Sequence, residues 1–292
     1  MSAFFDFSAQ ALADLVREDV DRALREDVGD ADLTAALVDP DRRARAVVVA
    51  REPAVLCGQP WVQQALARLD AAVVLDWHVA EGQPCKADQV VLEISGRARA
   101  LLTAERTALN FLQFLSAVAT KTDAYVRAVR EVPGARAAIV DTRKTVPGLR
   151  LAQKYAVRTG GGVNHRLGLY DAVLIKENHI AAAGGVTAVL QAATQAAPQA
   201  RFVQIEVETL AQLREALAAG AQMILLDNMG LSQMHEAVQI TAGRAQLEVS
   251  GGVNLSSVCA IAATGVDRIS IGELTKNVKA IDFSMRFVNP AH

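Results

Sequence analysis

The stretch FVQIEVETLAQLREALAAGAQMILLDN, residues 202–228, decides how this chain folds. Two apolar runs, 202–209 and 223–228, are each closed by polar residues, and an alanine-rich segment of helical character lies between them. Runs apolar on both faces, as MILL (223–226) is, mark strands covered on both sides or closed into a barrel. The same unit recurs in AAIVDTRK (137–144), DAVLIKEN (171–178), LEVSGG (247–252) and RISIGE (268–273). Strands alternating with helices predict a parallel sheet. Six or seven such units favour an α/β fold with a (β/α) barrel, TIM-like and either incomplete or seven-stranded, over an open sheet.

Upstream the pattern differs. Residues 8–25 predict a helix capped by Ser8, followed by an acidic turn-rich loop, REDVGDADLT (25–34). Residues 43–102 consist mostly of short apolar runs broken by Gly and Pro, RARALL among them, with one helix at QPWVQQALARLD; this is a small α+β domain. A long helix is predicted over 103–132, with Thr103 as its cap. That cap would put Arg106 in the first turn, where a cation opposes the helix dipole and calls for an anionic partner.

The composition narrows the function. The 292 residues are 51% hydrophobic and 21% charged, enough to bury a core, and the net charge of −2 offers no basic field for nucleic acid. Cys57, Cys85 and Cys259 are odd in number and lack CxxC spacing, which argues against a disulfide framework or zinc site. Acids at Asp6 and Asp14 come too early for a signal peptide, and no apolar run approaches the roughly 20 residues that span a bilayer. A soluble, cytoplasmic protein is expected.

In a parallel barrel the C-terminal strand ends share one mouth. Those ends supply Arg143, Lys144, Lys176, Glu206, Asp227, Ser250, Gly251, Gly252, Ser270 and Gly272, and His165 and Arg166 follow a glycine turn. Between Thr142 and Lys176, seven basic residues stand against one acid, a net +6 in a chain of net −2. Lys154 and Arg158 are expected to be solvated helix-face cations. Lys176 closes an apolar strand, where a charge is costly unless paired or used. Converging Lys and Arg imply a polyanionic ligand. The glycine-ended strands suit a phosphate, and Glu206 with Asp227 suits ribose hydroxyls or a shared Mg²⁺. The residues alone thus point to a barrel enzyme that binds a phosphorylated sugar and a second anion.

ALREDVGDADLT, LTAERTALNFLQFLSAVAT, DTRKTVPGLRLAQKYAV, GGGVNHRLGLYDAVLIKENH, IEVET, ILLDN, LEVSGGVN and TGVDRISIGELT, in this order, resemble the quinolinate phosphoribosyltransferase family over nearly the whole chain. Ala31, Val146, Glu273 and Lys276 depart from the family pattern. The resemblance implies transfer of phosphoribose from phosphoribosyl pyrophosphate (PRPP) to quinolinate with loss of CO₂, giving nicotinate mononucleotide and pyrophosphate for de novo NAD synthesis, with Mg²⁺ as cofactor. It implies an N-terminal α/β sandwich domain over 1–114, joined by 277–292, and a barrel over 115–276. It also implies a homodimer or larger assembly, with Arg106 reaching a quinolinate carboxylate in the partner's barrel. By the same match Arg143, His165, Arg166 and Lys176 would bind the quinolinate carboxylates, and Thr142 would be a further substrate-binding residue. Lys144 would lie between acid and pyrophosphate, Glu206 and Asp227 would hold ribose and metal, and Ser250, Gly251, Gly252, Ser270 and Gly272 would hold the 5′-phosphate. Lys144, Lys176, Glu206 and Asp227 are the expected catalytic groups. The alternatives are a paralogue acting on another pyridine or aromatic acid, or a non-catalytic anion-binding paralogue.

Overall fold

The structure is a computed structural model and describes residues 5–288; the outermost residues of the expected N-terminal domain, 1–4 and 289–292, lie outside the described residues. Along the chain run α1 (Ala9–Val28), β1 (Arg43–Ala50), β2 (Ala54–Val55), α2 (Gln59–Leu69), β3 (Val74–Trp77), β4 (Pro84–Cys85), β5 (Val90–Arg97) and α3 (Ala98–Arg130). There follow β6 (Ala138–Val140), α4 (Arg150–Thr159), β7 (Val173–Ile175), α5 (Glu177–Ala183), α6 (Val186–Ala196), β8 (Val203–Val207), α7 (Leu210–Ala218) and β9 (Met223–Asp227). Last come α8 (Leu231–Thr241), β10 (Gln246–Ser250), α9 (Val258–Ala262), β11 (Arg268–Ser270), α10 (Glu273–Lys276) and β12 (Phe283–Val288). The chain packs as two units. One comprises the residues through Lys121, Val146–Gly160 and those from Asn277; the other comprises Thr122–Thr145 and Gly161–Lys276.

In the first unit an antiparallel sheet runs β12-β1-β5-β3. Ser8 caps α1, accepting from the Ala11 N–H, and Val16, Val20 and Leu24 form the buried stripe of that helix. Trp61 of α2 is fully buried, stacks near Phe111 of α3, and donates its indole N–H to Asp19. Two expectations fail here. RARALL is helical from Ala98 onward, so α3 starts five residues early and Thr103 is interior; its hydroxyl donates to Asp32 instead of capping. No Gly or Pro separates β5 from α3, so the switch of period has no local punctuation. Arg106 therefore lies in the third turn, exposed, and the dipole argument for its partner does not apply. Lys154 is not solvated: it is fully buried (0% exposed) on the covered face of α4, beside Gln153 and Val157.

The second unit contains a six-stranded parallel sheet of order β6-β11-β10-β9-β8-β7. The last strand, β11, pairs with the first, β6, through Arg268↔Ala138 to Ser270↔Val140. Val163 adds a parallel bridge to Val140 on the other side of β6. The strands thus follow chain order around a ring, with Val163 at a seventh, rudimentary staff. This is the incomplete, TIM-like barrel expected from the alternating runs. Ile139, Ile205, Ile224, Leu226, Val249 and Ile269 are buried strand positions, as strands covered on both faces require. Parallel register carries every C-terminal strand end to the same face.

Candidate active site

The strand ends of the barrel unit gather the basic groups. Arg143 and Lys144 follow β6, Arg166 lies in the segment after the Val163 bridge, and Lys176 directly follows β7. The Nε of Arg143 is buried and has no hydrogen-bond partner. Arg166 is 9% exposed. Burial, and then the neighbouring Arg143 charge, push its guanidinium below its ordinary basicity, against the pull of Asp171. Two guanidiniums are thus close enough to repel, and one holds an unused buried donor. Such a donor costs about 1–3 kcal/mol unless an acceptor arrives, so this corner is preorganised for an anion.

The loop carrying Arg166 is tied down from both sides. Asp171, fully buried, accepts the N–H groups of Leu167 and Gly168 at 2.9 Å each. Asp141 accepts the His165 N–H at 2.9 Å and the Asn164 amide at 2.7 Å. His165 itself is 6% exposed. Its Nδ1 accepts the Arg166 N–H at 2.8 Å, which places the ring proton on Nε2, and Nε2 lies 2.7 Å from Gln204 Oε1. Both ring nitrogens are therefore engaged within the barrel.

Lys176 is half exposed, so it escapes the burial cost expected of it, and it pairs with Glu206 at 3.2 Å. His179 is a helix cap: its Nδ1 accepts the Lys176 N–H at 3.0 Å. Lys144 is exposed, and its aliphatic chain crosses Gly272, where an added Cβ would meet Cδ at 3.0 Å and Thr142 Oγ1 at 3.7 Å. Thr275 Oγ1 fastens the Lys144 carbonyl at 2.8 Å. A side chain at Gly272 would have to push the Lys144 stem aside by a few tenths of an ångström, so the glycine leaves Lys144 and Thr142 close over the strand end.

Asp227 ends β9 and accepts from the Asn228 amide at 2.9 Å. Asn228 adopts a left-handed φ of 53° and lies against Gly251, whose own φ is +103°. A Cβ at Gly251 would meet Asn228 Oδ1 at 2.5 Å, so only glycine fits. Gly252, beside it, has open space. Ser250 pairs with Asp227 in the β9–β10 register. Ser270 differs from the others: it is 5% exposed and donates its hydroxyl to Glu248. Arg106 belongs to the first unit. Glu248 and Gln204, both fully buried, were missed by the sequence reading. The signal for Glu248 was a charge inside the apolar run LEVSGG.

The fold thus gathers two guanidiniums, two lysines and two carboxylates at the strand ends of one TIM-like barrel. The chain matches the family models for the quinolinate phosphoribosyl transferase C-terminal domain over residues 118–286 and N-terminal domain over 32–116. It is 42% identical to the probable carboxylating nicotinate-nucleotide pyrophosphorylase of Bacillus subtilis, over 89% of each chain. It is 44% identical to the carboxylating nicotinate-nucleotide pyrophosphorylase of Mycobacterium leprae, over 93% of this chain and 97% of that one. The solved nicotinate-nucleotide pyrophosphorylase of Francisella tularensis superposes with a TM-score of 0.90 at 43% identity, covering 94% of this chain and 97% of that one. The chain belongs to the quinolinate phosphoribosyl transferase family.

Proposed function

We propose that this protein transfers the phosphoribosyl group of PRPP to the ring nitrogen of quinolinate, with loss of CO₂, to give nicotinate mononucleotide and pyrophosphate. Family membership supports the reaction. The observation that carries it to this chain is the buried, unpartnered Arg143 Nε beside the crowded Arg166. A pyridine diacid offers two carboxylates to a site with cations to spare.

Arg143, Arg166 and Lys176 hold the diacid; His165 acts through the Arg166 backbone it fixes. Lys144 neutralises charge that develops on the departing pyrophosphate. Glu206 and Asp227 face the ribose and stabilise the cationic character of its C1 as the leaving group departs. The glycines of 251–252 and 272 admit the 5′-phosphate close to the backbone. Holding two anions side by side is the work of the cationic site, which makes this positioning catalysis. The ring nitrogen, once alkylated, is the electron sink for decarboxylation.

Glu206 and Asp227 also fit Mg²⁺. Each has one carboxylate oxygen engaged, with Lys176 and Asn228 respectively. Among the described residues no cluster of three or more His, Cys, Asp or Glu could enclose a metal. An open pair of hard oxygens suits an ion that keeps its waters and takes phosphate oxygens from a co-substrate. When bound, Mg²⁺ would supply charge neutralisation to the pyrophosphate. The same reading makes the protein a homodimer or higher homo-oligomer acting in the cytoplasm. Arg106, exposed on α3, would serve a partner's site, and the free thiols of Cys57, Cys85 and Cys259 suit a reducing compartment.

The test is CO₂ release and nucleotide formation from PRPP with quinolinate against nicotinate, with and without a chelator. Turnover of quinolinate alone, lost with EDTA and restored by Mg²⁺, is expected. Turnover of nicotinate only would refute the substrate. Arg106→Ala and Lys144→Ala should each be inactive yet regain activity when mixed; no recovery would remove Arg106 from a shared site.

A further inference from the structure

Glu248 takes no part in the reading above, yet it lies at the centre of the barrel's polar interior. It is fully buried in β10 between Leu247 and Val249. Its Oε2 accepts from Arg268 Nε at 2.8 Å, across the β10–β11 register. Its Oε1 accepts the Ser270 hydroxyl and lies 3.4 Å from His165 Nε2. One carboxylate therefore touches the loop that carries Arg166 and the strand whose end leads to Gly272.

We propose that Glu248 is a positioning residue for both halves of the site, fixing His165 on the diacid side and the Ser270 strand end on the phosphate side. The inference rests on the proposed function for its kinetic consequences, though its geometry does not. His165 has the proton on Nε2, because Nδ1 accepts from the Arg166 backbone. That N–H donates to Gln204 Oε1 at 2.7 Å, and Glu248 Oε1 lies 3.4 Å from the same nitrogen, an electrostatic contact and not a hydrogen bond. A ring held at both nitrogens cannot also give one to a substrate carboxylate. Its contribution is to set the Arg166 backbone; Gln204 holds the ring by a hydrogen bond, and the Glu248 carboxylate lies against the same N–H from the strand beneath.

Nothing nearby replaces it. The only acceptor of the Gln204 amide, Oε1, is already on His165 Nε2, and its Nε2 is a buried donor without a partner. Arg268, with its side chain 15% exposed, would lose the carboxylate against which it packs. An isosteric amide fails for a stated reason. Glutamine carries one acceptor and one donor end, whereas Arg268 Nε–H and His165 Nε2–H are both donors. Whichever way the amide turns, a donor meets a donor.

The first measurement uses the unliganded wild-type protein. Long-range ¹H–¹⁵N correlation spectra report each imidazole's tautomer, with the His165 signal assigned by its loss in His165→Phe. Nε2–H is expected at His165, and Nδ1–H would overturn the proposal. Glu248→Gln should shift that signal and lower kcat/KM for quinolinate at least about tenfold, while raising KM for PRPP. Should that variant not fold, Ser270→Ala removes one partner with little fold risk and should raise KM for PRPP several-fold at unchanged KM for quinolinate. A Glu248→Gln protein with wild-type spectrum and kinetics, or a Ser270→Ala protein with unchanged KM for PRPP, would sink the idea. The tautomer is read without substrate, so failure of the assigned reaction and failure of this inference are separable.

Discussion

Replacing Arg143 by methionine should make the protein more stable and nearly inactive at once. In the unliganded structure Arg143 has a buried Nε–H with no acceptor and a guanidinium close enough to Arg166 to depress its basicity. Methionine fills a similar length without donor or charge. Removing an unsatisfied buried donor recovers about 1–3 kcal/mol. For a protein somewhat larger than 250 residues each kcal/mol moves Tm by roughly 2–4 °C, so a rise of a few degrees is expected. The loss on the other side is larger. A charge-assisted hydrogen bond contributes about 1.5–3 kcal/mol, so losing one or two lowers kcat/KM for quinolinate by about 10- to 10⁴-fold. Differential scanning fluorimetry reads both effects. Wild type should gain about 2.7 kcal/mol of stability at quinolinate concentrations a hundredfold above Kd, and the variant should gain almost nothing. A less stable Arg143→Met protein that keeps activity within about threefold would show that Arg143 is structural, and the preorganised anion corner would fall with it.

Gly251→Ala should cost both stability and PRPP affinity, because its Cβ would meet Asn228 Oδ1 at 2.5 Å at a φ that L residues avoid; Gly252→Ala, with open space, should show only the backbone penalty of about 1 kcal/mol. Thermal melts and KM for PRPP separate the two. Asp19 is buried against Trp61, and desolvation raises its pKa from 3.8 despite the Trp61 and Arg22 hydrogen bonds. A raised carboxyl in the folded state means stability falls as pH climbs from about 3.8 through the folded value. Asp19→Asn should therefore melt higher than wild type at pH 7 and lose that advantage near pH 4; equal offsets at both pH values would show that the charge carries no penalty.

Much of this was legible in the linear chain, for a physical reason. Backbone period is local: FVQIEVET, MILLDN and LEVSGG each declare a strand, MILLDN one apolar on both faces, and strands alternating with helices leave few arrangements. Strand polarity then sends Arg143, Lys144, Lys176, Glu206 and Asp227 to one end without any knowledge of distances. What required tertiary structure was how each side chain is used. Lys154 and Arg158 look alike on a helical wheel, yet one is fully buried and the other lies over the Phe7 ring. Thr103 reads as a cap because hydroxyls cap helices, but Asp32, far off in sequence, accepts its hydrogen bond, and the helix begins five residues before it. Ser270 reads as a phosphate ligand, but its hydroxyl turns inward to Glu248. Period and polarity are properties of neighbours along the chain; burial and hydrogen-bond partnership belong to neighbours in space, and only folding brings those together.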